Sequence, residues 1–275
     1  MKKITNILNH SIINLPSPVN ISYWWNFDSL LGIFILIQII RGLFLSIHYC
    51  PNISFAFKRI IRIIQNVPNG WIIHNIHGAS FFFISIYIHI DRNIYYNSFN
   101  LTYTWISGVT IFLLSIATAF LGYVLPWGQI SFWGATVITN LILTISYIGN
   151  TWVWGGFSIN NSTLNRFFSF HFILPFIILI FIILHLFFLH LTGSSNPTGL
   201  NRNLYKIPFH PYFTFKDLLG FNLILSIFLI IILQYPYIFS DPNNFIPANP
   251  LVTPTSNQND TFFLLMLSFD QSLTS

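Results

Sequence analysis

The chain has 275 residues, of which 54% are hydrophobic and only 6% are charged, and its net charge is +5. Soluble proteins carry about 25% charged residues, so this composition excludes a soluble globule and predicts a surface that faces mostly lipid. The eleven basic residues form no run, which argues against nucleic-acid binding, and the single cysteine, Cys50, excludes an internal disulfide. All six acidic residues are aspartate, and glutamate is absent.

Membrane spans are predicted wherever about 20 mostly apolar residues occur together. Five stretches meet this condition: 29–49, 72–90, 104–126, 167–191 and 218–235. We expect short interfacial helices between the third and fourth spans, a polar loop over 193–216, and a proline-rich loop after Tyr235. The predicted fold is therefore an all-α polytopic membrane bundle of about five transmembrane helices with short interfacial helices.

The N-terminus and the loop charges give expectations about location. Residues 1–11 contain neither the apolar core of a signal peptide nor an arginine-rich transit helix, so we expect synthesis close to the target membrane. The many Phe, Ile and Asn codons fit an AT-rich organellar genome. The N-terminal side of the membrane carries six loop cations against four on the opposite side, which favours the matrix or cytoplasm for the N-terminus.

Histidines inside the predicted spans are candidates for function, because ionisable groups at membrane depth are rarely structural alone. His171 and His185 lie fourteen residues apart on the fourth span, which is about 3.9 helical turns and about 21 Å of rise. Both imidazoles should therefore face the same way at opposite depths. This arrangement suits two cofactors, each bound axially by a neutral imidazole; the alternative is two buried histidines that only bond to neighbouring helices.

Glycines repeat the fourteen-residue period on other spans. Gly108 and Gly122 share the third span, and Gly42 on the first span would pair with position 28. Glycine lets a flat macrocycle approach the backbone, although small residues also occur at ordinary contacts between membrane helices. Because the glycines share the period of the histidines, they favour two haems.

Three strings carry a specific resemblance to a known family: LPWGQISFWGATVITN (125–140), RFFSFHFILPF (166–176) and DPNNFIPANPLVTP (241–254). They resemble mitochondrial cytochrome b, the central subunit of ubiquinol–cytochrome c reductase, and the similarity extends over about residues 5–254. The resemblance implies two b-type haems in the mitochondrial inner membrane. It also implies a dimeric membrane complex with the Rieske iron–sulfur protein and cytochrome c1 as partners.

The resemblance implies a role for particular residues. His77 and His171 would bind the low-potential haem near the intermembrane side, and His89 and His185 the high-potential haem near the matrix. Arg92 and Arg166 match family cations that suit haem propionates, although Arg92 alone would also fit interfacial snorkelling.

Two quinone sites are also implied. The ubiquinol-oxidation site matches Tyr123, Pro126, Trp127 and Gly134. The quinone-reduction site matches His190, Ser194, Lys216 and Asp217. There, a His and an Asp would protonate quinone as electrons arrive, whereas spacing alone would make Lys216 and Asp217 an ordinary charge pair at a helix start.

The second span departs from the family because its motif is two residues short. His77 precedes His89 by only twelve residues, which in one regular helix would swing it by roughly 160° from the family direction. Position 75, fourteen before His89, is Asn75, which cannot ligate iron. His74, fifteen before, is about 100° off that direction. The motif favours His77, and His74 remains the alternative.

Charged residues also replace small ones on the first span. Asp28 stands where the family has glycine, so its carboxylate would lie against the high-potential porphyrin and would need to be neutral or paired. Arg41 is another uncompensated charge. A pair between them is not expected, because thirteen residues correspond to about 20 Å of helical rise.

The last residues lack the Pro-Glu-Trp-Tyr motif whose glutamate serves ubiquinol oxidation in the family. Residues 258–261 can be encoded by nucleotides that read Pro-Glu-Trp-Tyr in a shifted frame, so we hypothesise a frameshifted tail. The expected domains are a haem-binding four-helix domain (1–216), a partial quinol-site domain (217–254) and an aberrant tail (255–275). A non-functional copy and a multispan transporter with structural histidines remain alternative interpretations. Because the sequence has no glutamate, it lacks the residue that the family uses in ubiquinol oxidation.

Overall fold

The computed structural model describes residues 6, 9–78, 81–143, 154–199, 205–238 and 240–253. Five helices are long and apolar enough to cross a membrane, which confirms the five predicted spans: Tyr23–His48, Gly70–Tyr95, Thr102–Val124, Asn161–Thr192 and Tyr212–Gln234. The second of these passes over residues 79 and 80, which are not described. The hypothesised frameshifted tail lies outside the described residues.

The spans form because long apolar stretches without charge satisfy their backbone groups internally in lipid. The helices are α1 (Asn26–His48), α2 (Ala56–Asn66), α3 (Gly70–Gly78), α4 (Phe81–Tyr95), α5 (Thr102–Val124), α6 (Gln129–Leu143), α7 (Asn161–Thr192) and α8 (Tyr212–Gln234). Large apolar side chains on them remain exposed in the isolated chain, for example Ile183 at 61% on α7 and Leu223 at 64% on α8. Such faces are stable only against lipid or a protein partner.

Helix α2 is the short interfacial element between the first two spans. Its Ala56 and Ile63 are buried, whereas Lys58, Arg59 and Arg62 are exposed. One apolar and one basic face are what a helix at a membrane surface requires. The all-α membrane fold predicted from the sequence is therefore confirmed. The interfacial helices were predicted between the third and fourth spans, where the structure has α6, whereas α2 was not predicted.

The predicted loop over 193–216 was wrong at its C-terminal end, because α8 begins at Tyr212 and includes Lys216 and Asp217. Pro211 at the N-cap and the aromatic residues that follow it start the helix inside the polar stretch. The loop also contains β2 (Lys206–Pro208), which pairs antiparallel with β1 (Pro16–Pro18). Neither three-residue strand was predicted, since neither shows an alternating pattern.

The chain groups into two compact units. Unit 1 comprises residues 1–39, 79–113 and 176–235, and unit 2 comprises 40–78, 114–175 and 236–275. In unit 1, the Phe228 ring contacts Phe34 and Phe81, with centroids at 5.7 and 4.7 Å. Unit 2 has one buried cluster, formed by Ala56, Val124, Trp127, Phe132, Ala135, Trp154, Ile159, Leu164 and Phe167. The domain boundaries expected from the sequence stay a prediction.

Candidate functional site

The first histidine pair lies in unit 2. The rings of His77 on α3 and His171 on α7 have centroids 6.0 Å apart and are nearly perpendicular, at 86°. The Nδ1–H of His171 donates to the carbonyl oxygen of Thr118 on α5, at 2.8 Å. That bond assigns the proton to Nδ1 and leaves Nε2 of His171 as a possible metal ligand.

The second pair lies in unit 1 and repeats these features. The rings of His89 on α4 and His185 on α7 have centroids 6.3 Å apart, at an interplanar angle of 65°. Nδ1 of His185 lies 3.0 Å from the Ser107 hydroxyl. Nδ1 of His89 lies 2.6 Å from a carboxylate oxygen of Asp28.

Both pairs fit a metal held between two imidazoles. A metal–imidazole bond is about 2 Å long, so a metal coordinated by two facing rings separates their centroids by about 6 Å. His89, His171 and His185 each have an oxygen partner at Nδ1, as is usual when Nε2 is the ligand. The residues present therefore fit axial ligation of a haem in each unit.

The three predicted glycines lie directly against these histidines. A Cβ built on Gly122 would be 2.5 Å from Cε1 of His171, one on Gly42 would be 3.1 Å from Cε1 of His77, and one on Gly108 would be 3.2 Å from Cε1 of His185. At each position a side chain would compete for the volume beside the ring. Glycine therefore permits the close approach of each histidine ring, which a side chain at these positions would displace.

His74, the competing candidate on α3, is bonded elsewhere. Its Nδ1 lies 3.4 Å from the side-chain oxygen of Asn75, and no ring contact joins it to His171 among the described residues. The rotation expected for His77 assumed one regular helix from 77 to 89. Residues 79 and 80 of that stretch lie outside the described residues, so the expected rotation stays untested, whereas the contact between the rings of His77 and His171 is observed.

Asp28 is paired in the structure. Arg92 donates two hydrogen bonds to its carboxylate, from NH2 to Oδ1 at 2.9 Å and from NH1 to Oδ2 at 3.1 Å. Arg92 itself is 7% exposed and its Cζ lies 4.6 Å from the Trp25 ring centre. A buried and bidentate Arg92 does not fit the snorkelling alternative.

Arg166 lies near the start of α7 in unit 2. A Cβ built on Gly155, which has a φ of 70°, would be 2.6 Å from NH1 of Arg166. Gly155 thus permits both a left-handed backbone and the close approach of the guanidinium. Arg41, the other unexpected cation, has a buried NH1 without a hydrogen-bond acceptor among the described residues.

Only some of the residues predicted for quinone reduction lie close together. The Asp217 carboxylate accepts a hydrogen bond from Ser29 at 2.9 Å, and Lys216 Nζ donates to the carbonyl of Ile21 at 2.7 Å. Ser194 is half-buried beyond the end of α7. His190 is exposed on the last turn of α7, and no hydrogen bond joins it to Lys216 or Asp217, all three being described residues.

The residues predicted for ubiquinol oxidation lie around the turn after α5 in unit 2. Tyr123 lies in the last turn of α5, Pro126 lies in the turn that follows, and Trp127 adopts a left-handed φ of 55° while remaining 7% exposed. Gly134 is half-buried on α6. Trp127 packs on Phe132 with centroids 5.5 Å apart, and both rings belong to the buried cluster of unit 2.

The proline-rich segment 241–253 is bonded onto this same turn. The backbone N–H of Gln129 donates to the carbonyl of Ile246 at 2.9 Å, and its side-chain oxygen accepts from the N–H of Asn249 at 2.6 Å. The side-chain nitrogen of Gln129 donates to the carbonyl of Val252. A Cβ on Gly128 would clash with Asn244, so the two backbones meet closely.

Replacing Gln129 with alanine should loosen this segment. Gln129 is 6% exposed and its amide bonds the exposed backbone groups of Asn249 and Val252, so removing the amide should lower stability by about 0.5–1.5 kcal/mol. Limited proteolysis of the membrane-embedded chain should then cut within 241–253 faster than in the unmodified protein. Leu251→Ala is the matched control, because Leu251 is 91% exposed; equal cleavage of both variants would contradict the bonded arrangement.

Sequence reasoning missed the residues that support the histidines and Asp217. Thr118 and Ser107 accept or share the Nδ1 bonds, Trp25 covers Arg92, and Ser29 bonds Asp217. Small hydroxyl residues and a lone tryptophan have no recognisable spacing. Only the position of Thr118 and Ser107 on the glycine-bearing helix could have marked them.

Paired histidines with glycines beside them, on helices that span a membrane, define a cofactor-binding membrane protein of the electron-transfer class. The family described as "Cytochrome b/b6/petB" matches residues 12–193. "Cytochrome b" of Apis mellifera ligustica is 58% identical over 281 residues, covering 98% of this chain and 73% of that protein. The chain belongs to the cytochrome b family, which implies respiratory electron transfer and a haem b cofactor.

A solved structure, "Hyperthermophilic respiratory Complex III", shares the fold with a TM-score of 0.89 and 32% sequence identity. The similarity covers 96% of this chain and 72% of that chain. The resemblance inferred from the three sequence strings is therefore confirmed.

Proposed function

We propose that this chain is the electron-transfer subunit that oxidises ubiquinol near the intermembrane face and reduces quinone at the matrix face. In this proposal it passes electrons across two b-type haems, with coupled proton translocation. The observation that carries the proposal is the pair of matched histidine sites, with ring centroids 6.0 and 6.3 Å apart and a glycine against three of the four rings.

His77 and His171 would hold the low-potential haem, and His89 and His185 the high-potential haem. A bound haem supplies reversible one-electron oxidation and reduction at its iron. The protein's contribution is orientation, since an acceptor at Nδ1 holds a histidine in the tautomer whose Nε2 carries the lone pair that iron needs. Gly42, Gly108 and Gly122 permit the close approach of the histidine rings to the helices. Arg92 and Arg166 would face the propionates, although Asp28 already pairs with both terminal nitrogens of Arg92.

Quinone reduction would use His190, Ser194, Lys216 and Asp217. A quinone gains two electrons and two protons, one proton at each carbonyl oxygen, so two proton donors must reach it. The Asp217 carboxyl, oriented by Ser29, and the His190 imidazole would serve as those donors. Lys216 lies 5.0 Å from the Tyr23 ring centre, where its charge would attract the reduced oxygen.

Ubiquinol oxidation would take place against the turn formed by Tyr123, Pro126, Trp127 and Gly134. The rings of Trp127 and Phe132 are buried and would support this turn from inside, and a quinol head would pack against the turn itself. Segment 241–253, bonded across this turn, would complete the wall of the site. One electron would leave to an iron–sulfur partner and the other would enter the haem pair.

The working assembly would be a dimeric complex in the mitochondrial inner membrane, with the Rieske iron–sulfur protein and cytochrome c1 as partners. The N-terminus would lie on the matrix side. Exposed apolar faces such as that of α8 would contact lipid or those subunits. The structural similarity to a solved respiratory complex supports this proposal.

The test is a reduced-minus-oxidised spectrum of membranes that contain the full chain. We expect two b-type haem components in a redox titration, with His171→Ala losing one and His185→Ala losing the other. His210→Ala should keep both, because His210 is exposed and its Nδ1 lies 3.2 Å from the Thr214 hydroxyl. A folded chain without haem would contradict the proposal and favour the non-functional copy.

A further inference from the structure

Asp28, His89 and Arg92 form a charged cluster in unit 1 that the family pattern does not contain. The Asp28 carboxylate lies 2.6 Å from Nδ1 of His89 and holds both terminal nitrogens of Arg92, at 2.9 and 3.1 Å. The side chains of Asp28, His89 and Arg92 are 28%, 22% and 5% exposed. The cluster is therefore largely shielded from water, where charge-assisted hydrogen bonds are strong.

The contacts assign the protons within this cluster. A guanidinium that donates two bonds to one carboxylate keeps that carboxylate ionised and able only to accept. Nδ1 of His89 must then be the donor. The side-chain nitrogen of Asn93 lies 3.3 Å from Nε2 of His89 and donates to the His89 carbonyl at 2.8 Å. An amide N–H can only donate to an unprotonated Nε2, so this contact agrees with the assignment, and Asn93 must give up Nε2 when iron binds there.

The acceptor at His89 differs in charge from the acceptors at the other histidines. His171 donates to the neutral carbonyl of Thr118, and Nδ1 of His185 meets the neutral hydroxyl of Ser107. A carboxylate draws the Nδ1 proton more strongly and so makes Nε2 a more electron-rich ligand. An electron-rich axial ligand favours the oxidised state of the iron it binds.

We propose that Asp28 is a positioning and tuning residue for His89, lowering the midpoint potential of the haem that His89 and His185 would bind. The inference rests on the proposed function, because it requires His89 to be a haem ligand. In this proposal Arg92 keeps the Asp28 carboxylate ionised and balances the negative charge of that carboxylate. The other haem, bound by His171, should be unaffected.

The test compares three variants of the full chain in membranes by redox titration of each haem. Asp28→Asn keeps the shape but removes the carboxylate, and it should raise the potential of one haem only. We expect about a tenfold change in the ratio of reduced to oxidised haem at fixed ambient potential, which is 59 mV for a one-electron couple. Asp28→Glu, which keeps the carboxylate, should restore much of the original potential.

A charge-neutral control separates the hydrogen bond from simple electrostatics. Asp28→Asn combined with Arg92→Gln has the same net charge as the native cluster. Its potential should stay raised, and the low-spin electron paramagnetic resonance signal of the oxidised haem should shift with it. A return to the native potential would show that only net charge matters and would overturn the proposal.

Haem binding at His89 and His185 and the effect of Asp28 on that haem are tested separately. If Asp28→Asn and the native chain both lack the haem at His89 and His185, the proposed function itself fails. If the haem is present in both and its potential and resonance signal are unchanged, the proposed function stands and the role of Asp28 is refuted.

Discussion

Replacing His77 with alanine should remove one of the two haems, whereas replacing His74 should leave both. Only the ring of His77 lies against His171, with centroids 6.0 Å apart, and only His77 faces the open side of Gly42. His74 has its Nδ1 bonded at Asn75. Losing one of two axial ligands should cost most of the affinity for haem, because the second imidazole cannot span the gap.

Haem content per chain, measured by the pyridine haemochrome method with a redox titration, decides between the two histidines. We expect His77→Ala to retain about half of the haem, and the surviving component should be the one that depends on His185. His77→Met tests the same site with a different ligand type and should restore a component of altered potential. Loss of haem in His74→Ala with retention in His77→Ala would reverse the assignment.

The five spans could be predicted because lipid imposes a simple rule on sequence. A stretch of about 20 apolar residues has no other stable environment, so hydropathy alone located every span within a few residues. The boundary at Tyr212 was missed for the same reason. The first turn of α8 contains Lys216 and Asp217, and their charges hide the helix from a hydropathy pattern.

The candidate site was predictable only where both residues share one helix. His171 and His185, like Gly108 and Gly122, are related by helical phase, which spacing reveals. Asp28 shows the limit of such reasoning. The cation on the same helix as Asp28 is Arg41, which the helical rise places too far away for an ion pair. The partner that the structure gives to Asp28 is Arg92, which lies 64 residues away in sequence on α4. Pairing between helices depends on packing, which one sequence does not reveal.

His77 shows a different limit. Its expected rotation came from extending one regular helix from His89 through residues 79 and 80, which lie outside the described residues, whereas its ring centroid lies 6.0 Å from that of His171. The motif was a better guide than the helical phase, because a motif reflects the whole local fold. The same applies to segment 241–253, whose contacts with Gln129 cross 120 residues of sequence.

Replacing Gly122 with alanine should be the most damaging glycine substitution in the chain for haem binding. The new Cβ would be 2.5 Å from Cε1 of His171 and 2.9 Å from its Nδ1, closer than real Cβ atoms approach. The ring cannot simply turn aside, because its Nδ1 is bonded to the carbonyl of Thr118 at 2.8 Å. We expect loss of the His171 haem and a destabilisation of about 1–3 kcal/mol from overpacking.

The other glycines provide a graded series for the same measurement. Gly42→Ala and Gly108→Ala place a Cβ 3.1 and 3.2 Å from their histidines, so a shift of a few tenths of an ångström should preserve the haem with weaker binding. Gly32→Ala is the matched control on α1, because nothing lies within 4 Å of its Cβ, and alanine should stabilise the helix by about 0.5–1 kcal/mol. Equal haem loss in all four variants would mean that helix packing, and not the volume beside the histidines, is what these glycines protect. A loss that follows the order of the distances would tie that volume to the bound cofactor.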